Sequence, residues 1–223
     1  TTTVNLAACI AELGYRVLVV DFDPQANATS ALGIDPRSVE KSMYDVILND
    51  VNLRDCIIKS QWEFLSVAPS NLDLAGAEIE LVSAFNRERL LDGAISSVIS
   101  EFDFVLIDCP PSIGLLTVNA LTAASEVLVP IQCEYLALEG LGQLLSNVER
   151  VKTHLNKELH ISTIALVMFD ARTKLAGQVV EEIRSHFGER VCQQTVPRSV
   201  RLSEAPSYGQ PIIYYDSSSR GAI

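Results

Sequence analysis

The sequence predicts a three-layer α/β domain, a mostly parallel twisted sheet with helices on both faces, and three observations predict it. Short apolar runs alternate with longer stretches of helical period, the layout of strands joined by helical crossovers. The runs lack a polar alternate face, as in RVLVVD (16–21), FDFVLID (102–108) and EVLVPI (126–131), which is expected when both faces of a sheet are covered. A length of 223 residues with 48% hydrophobic content supports one core of that size. Neither a repeat nor a low-complexity linker interrupts it, so residues 1–223 are expected to form a single domain.

The elements follow in order. A helix is predicted over residues 2–13, with Gly14 as its C-terminal cap. Strands are predicted over 16–21, 63–68, 102–108, 126–131, 161–168 and 191–196, and further helices over 74–81, 87–100, 115–122, 138–155 and 175–187. Pro110 and Pro111 stop the third strand because neither can donate to a ladder. No strand stands before the first helix, although a βαβ unit should begin with one, and Asp216-Ser217-Ser218-Ser219 resembles a helix start with less than a turn after it. The sequence is therefore expected to be truncated at both ends.

Composition narrows the function classes. No apolar run approaches the length that crosses a bilayer, and no signal-peptide layout stands at the amino end, so no membrane role and a cytoplasmic location are expected. Five scattered cysteines without a C-x-x-C pair argue against a disulfide framework or a cysteine metal site. The net charge of −11 is uneven: residues 150–201 hold 9 basic and 5 acidic side chains. A local basic face is open to an anionic partner.

Three carboxylates stand at strand ends. Asp21 closes RVLVVD, Asp23 follows on a loop stopped by Pro24, and Asp108 closes FVLID. In open parallel sheets ligands bind beyond the carboxyl ends of the strands. A carboxylate there can hold hydrated Mg²⁺ against nucleotide phosphates, and a second can orient an attacking water. The competing reading, for any one of them, is a turn residue bonding nearby amides. No G-x-x-x-x-G-K-[ST] phosphate loop occurs in the sequence, but Thr1-Thr2-Thr3 opens a helix as the residues after such a loop do.

TTTVNLAACIAELGYRVLVVDFDPQANATSALGI (1–34) closely resembles the segment after the phosphate loop of ParA/Soj-type partition ATPases, within the MinD/ParA family of deviant Walker-A P-loop NTPases. FDFVLIDCPPSIGLLTVNAL (102–121), VPIQCEYLALEGL (129–141) and VPRSVRLSEAPSYGQPI (196–212) resemble it as well. The resemblance implies a P-loop NTPase-type fold and an ATP-dependent, Mg²⁺-dependent homodimer. Such a dimer binds non-specific duplex DNA at the nucleoid, segregates it, and is stimulated by a ParB-type centromere-binding protein. By the same resemblance Asp23 positions the attacking water, Asp108 is the Walker-B aspartate holding Mg²⁺ through water, and Asp21 supports them. Thr1 lies at or next to the Mg²⁺-liganding hydroxyl, with Thr2 beside it on the nucleotide. Met168 and Asp170, with Pro197 and Arg198, resemble the adenine pocket, while Arg172 and Arg201 resemble DNA-contacting arginines. Ser199 departs from the family, where asparagine is usual.

Three alternatives stand beside this reading. A MinD-like division-site ATPase would need a carboxyl-terminal amphipathic helix. An iron–sulfur relative would need paired cysteines. A non-hydrolysing DNA-binding or dimerisation module would need no phosphate loop. The 223 residues as they stand, without that loop, are expected to be inactive as an ATPase.

Overall fold

The computed structural model describes residues 1–223, the side chains of residues 136–139 excepted. In chain order the elements are α1 (Thr2–Glu12), β1 (Val17–Asp21), α2 (Asn27–Ala31), α3 (Met43–Leu48), α4 (Leu53–Cys56), β2 (Ile58–Lys59), β3 (Leu65–Ala68), α5 (Leu74–Glu80), α6 (Leu90–Ser96), β4 (Phe104–Asp108), α7 (Leu115–Ala123), β5 (Glu126–Gln132), α8 (Leu136–His154), β6 (His160–Val167), α9 (Lys174–Phe187), α10 (Val200–Glu204) and α11 (Ile212–Tyr215). The strands form two ladders, β2-β3-β1-β4 and β5-β6, and every pairing in them is parallel except β2 with β3. This is the predicted three-layer α/β architecture.

β1 is buried along its whole length because it lies between β3 and β4 with helices on each face. Leu18, Val20 and Phe22 face a core that holds Leu74, Leu91 and Leu116 from α5, α6 and α7. Val17 and Val19 face the other side, against Val4, Ala7 and Ala8 of α1. A third core, under α8 and α9, packs Val129 and Ile131 of β5 with Ile164 and Leu166 of β6.

Two predicted strands differ. Residues 191–196 form no strand; isolated bridges pair Ile164 of β6 with Val191 and, past the ends of both segments, Phe169 with Pro197. The Cys192 N–H donates to Ile164 O at 2.9 Å and the Val196 N–H to Leu166 O at 2.8 Å. Four residues there oppose two, so the segment bows away instead of pairing. The strand predicted over 63–68 begins at Leu65, because Phe64 sits at φ 61°, in the left-handed region where a bulky side chain is strained. The helix predicted over 87–100 breaks into α6 and a 3₁₀ turn at Ile99–Glu101.

Candidate functional site

The carboxyl ends of β1 and β4 lie side by side. In their ladder Asp21 is the cross-strand neighbour of Asp108, and the Phe22 N–H donates to Asp108 O at 2.7 Å, extending the register by one residue. That register puts the first and third carboxylates of the sequence reading in one crevice, with Asp23 two residues beyond.

The three differ in environment. Asp21 is fully buried. Its Oδ2 accepts from the Thr29 hydroxyl at 2.6 Å and the Thr29 N–H at 2.7 Å. Thr29 Oγ1 in turn accepts from the Ser70 N–H at 3.0 Å. Burial raises the Asp21 carboxyl to about 6 against the pull of those bonds. Asp23 is half-buried, and its Oδ1 accepts from the Gln25 N–H at 2.9 Å, an Asx-type turn held by Pro24. Asp108 receives one side-chain bond, from the Thr3 hydroxyl to Oδ1 at 2.6 Å. Among the described residues nothing donates to its Oδ2.

Thr3 is the partner the sequence reading missed, since it named Thr1 and Thr2. Thr1 is the N-cap of α1 and Thr2 its first residue, and no side chain caps the helix. The amino-terminal N–H groups of α1 therefore lack intrahelical partners and carry the positive end of the dipole, which suits phosphate. Asn5 locks α1 to the far end of the chain: its Oδ1 accepts the Ile212 N–H at 2.7 Å.

No group of three or more metal-ligating side chains occurs among the described residues. The donor set fits Mg²⁺ nonetheless, because that ion commonly keeps several waters and takes one or two carboxylates plus substrate phosphates. Asp108 with a free oxygen, beside a hydroxyl and an uncapped helix start, is such a set.

The second group gathers at the end of β6. Met168 turns the chain at φ 56°. Phe169 then bridges Pro197, the Phe169 N–H donating to Val196 O at 3.0 Å and the Arg198 N–H to Phe169 O at 2.9 Å. Met168, Asp170, Pro197 and Arg198 thus share one corner. The Arg172 guanidinium grips the Asp170 carboxylate at 2.9 and 2.7 Å and holds it down at about 2. Arg198 pairs with Glu134 at 3.0 Å, and Arg201 pairs with Glu204 at 3.0 Å and Asp216 at 3.4 Å. Every one of these arginines is exposed. Cys109, which follows Asp108, is exposed too.

Comparison with known proteins shows the family. Residues 1–161 match the AAA domain family AAA_31. The chain is 54% identical over 222 residues to the sporulation initiation inhibitor protein Soj of Bacillus subtilis, covering 100% of this chain and 88% of that protein. It is 49% identical to the chromosome partitioning protein ParA of Myxococcus xanthus, covering 99% of this chain and 78% of that one. The structure of Mycobacterium smegmatis cobyrinic acid a,c-diamide synthase with bound ATP analog and magnesium superposes with a TM-score of 0.87 at 36% identity, covering 100% of this chain and 83% of that chain. Matches of this extent, over a crevice with two carboxylates beside an uncapped helix, mean that the chain belongs to the Soj/ParA family of chromosome-partitioning ATPases.

Proposed function

We propose that the full-length protein binds Mg²⁺ and ATP at the carboxyl ends of β1 and β4 and couples ATP hydrolysis to reversible binding of duplex DNA. The observation that carries the reading is the Thr3–Asp108 hydrogen bond. It ties the amino end of the helix that would receive phosphate to the carboxylate that would hold the metal, and it leaves one Asp108 oxygen available.

Each residue then has a task. Asp108 would hold hydrated Mg²⁺ through the oxygen left open, while Thr3 fixes the other. Asp23, steadied by the Gln25 N–H, accepts a hydrogen bond from the attacking water and sets its line of approach. Asp21 stays out of the chemistry; its Oδ2 is spent on Thr29 and its Oδ1 accepts the Asp23 N–H at 3.4 Å, which fixes the turn carrying Asp23. Thr1 and Thr2 contribute helix-start N–H groups, with Thr1 at or beside the metal hydroxyl. Met168, Asp170, Pro197 and Arg198 line the adenine. When bound, Mg²⁺ supplies neutralisation of the charge that develops on the phosphoryl oxygens.

Arg172 and Arg201 contact DNA phosphates without reading bases, so binding should fall steeply with salt. Both must first leave their acidic partners, Asp170 for the one and Glu204 with Asp216 for the other. We assign the working form as a homodimer at the nucleoid, released from DNA when a ParB-type centromere-binding protein stimulates hydrolysis. Residues 1–223 alone, which contain no G-x-x-x-x-G-K-[ST] loop, should not turn ATP over.

The deciding experiment uses the full-length protein. Asp23→Ala should still bind ATP and lose turnover, and normal hydrolysis by that variant would return Asp23 to the status of a turn residue. Arg201→Glu should abolish DNA binding with dimerisation intact; unchanged DNA affinity removes Arg201 from the interface.

A further inference from the structure

The segment that carries Arg201, residues 199–216, is fastened to the crevice at two points remote from it in sequence. The first is Asn5, in the first turns of α1. Its Nδ2 donates to Thr1 O at 2.9 Å, beside the backbone bond from the Asn5 N–H to the same oxygen at 3.2 Å, and its Oδ1 accepts the Ile212 N–H at 2.7 Å. The Ile212 N–H is the first of α11 and has no acceptor within its own helix. One amide side chain therefore satisfies the start of α11 and grips the start of α1.

The second fastening is made of backbone. Gly209, at φ 64°, lies so close to Gly33, at φ 79°, that a Cβ on Gly209 would stand 2.7 Å from Gly33 Cα. Gly33 lies just past the end of α2, the helix whose Thr29 holds Asp21. Between these two points α11 packs on α1. Ile213 and Tyr214 join the core of Val4, Ala7 and Ala8, and the Tyr214 ring stacks on Trp62 at 5.0 Å.

At its other end α11 closes on Arg201. The Asp216 N–H donates to Ile212 O at 2.8 Å, and the Asp216 carboxylate holds the Arg201 guanidinium at 3.4 Å. The Tyr215 hydroxyl donates at 3.4 Å to the same Glu204 oxygen that pairs with Arg201 at 3.0 Å. One turn of helix thus separates the amide that Asn5 grips from the groups that clasp Arg201. These ion pairs are exposed, and exposed pairs are weak, so a small displacement of α11 is enough to free the guanidinium.

We propose that Asn5 is a positioning residue for Arg201. It joins the first turn of the phosphate-side helix to the acidic clasp, so that nucleotide at α1 and DNA at Arg201 favour the same placement of α11. The inference rests on the readings of α1 as the phosphate-side helix and of Arg201 as a DNA contact. Coupling of this kind is reciprocal: DNA tightens nucleotide binding by the factor by which nucleotide tightens DNA binding.

The test uses the full-length protein, a non-hydrolysable ATP analogue with Mg²⁺, and a short DNA duplex of random sequence. The quantity read is the factor by which saturating analogue raises DNA affinity. Asn5→Ala should cut that factor about fivefold, the worth of one hydrogen bond, and should speed amide hydrogen exchange at Ile212, with the analogue-dependent dimer intact. The reciprocal factor, that of DNA on analogue affinity, should fall equally, which a merely structural loss would not produce. Asn5→Asp keeps an acceptor for the Ile212 N–H but has no donor for Thr1 O, so Ile212 should exchange as in the parent while the factor still falls. A full factor in either variant, while Arg201→Glu loses DNA binding, overturns the positioning role. Loss of the analogue-dependent dimer in both Asn5 variants traces the lost factor to assembly and overturns it as well. Unchanged DNA affinity in Arg201→Glu defeats the DNA reading of Arg201 and the proposal with it, an outcome distinct from failure at Asn5 alone.

Discussion

Asp21 and Asp108 are the same residue type at the same level of adjacent parallel strands, and the protein treats them in opposite ways. Asp21 is sealed, and its Oδ2 is taken by two donors from Thr29. Asp108 has one oxygen held by Thr3 and the other facing no protein donor. The difference teaches which carboxylate belongs to the scaffold and which to the ligand. A buried carboxylate whose acceptors are filled by its own chain has nothing left to offer an ion. One left half-satisfied at a crevice does.

Substitutions should separate the two. The largest effect is expected for Thr29→Val, which removes a charge-assisted bond to Asp21 and strands the Ser70 N–H: about 3 kcal/mol of stability lost, read by urea unfolding. A loss below about 0.5 kcal/mol would erase the distinction. The pH dependence of stability comes next. The Asp21 carboxyl is raised to about 6 in the fold from an ordinary value near 3.8, so the folded state binds the extra proton between those values. Stability from this group is present below about pH 4 and is lost as pH rises through 6. Between pH 5 and pH 7 the loss should be about 1 kcal/mol, and Asp21→Asn should flatten that slope. Thr3→Val, at the open carboxylate, should cost about 1 kcal/mol or less while weakening Mg²⁺-dependent nucleotide binding in the full-length protein. Asp23→Asn should leave the unfolding midpoint within about 0.5 kcal/mol of the parent and act on turnover alone. Equal stability losses at Asp21 and Asp23 would break the contrast.

Much of this site was legible because burial on both faces writes itself into the chain. VLVVD announces a central strand and FVLID pairs with it in parallel, so the carboxylates that end both runs stand together at the sheet's carboxyl edge. What was not legible depends on rotation and register. Three consecutive threonines look alike in sequence, and the 100° advance per helical residue decides that Thr3 is the one that meets Asp108. Asn5 and Ile212 lie 207 positions apart, and only the packing of α11 on α1 joins them. Helices α2, α3, α4, α10 and α11 are four to six residues long, too short to show a period of 3.6. The strand expected over 191–196 had the right residues, but apolar content cannot reveal that four of them would span two.

The two ladders also have a colloidal consequence. β4 has β1 as its one named partner and β5 has β6, so each presents a row of backbone groups to whatever lies beside it. Phe104 is 43% exposed and Leu128 36% exposed on those strands, and few charges guard them. Such an edge is a template for another strand. Handled as residues 1–223, the chain should be hard to keep monomeric at high concentration, and a lysine at position 128 is the gatekeeper that would make it more tractable.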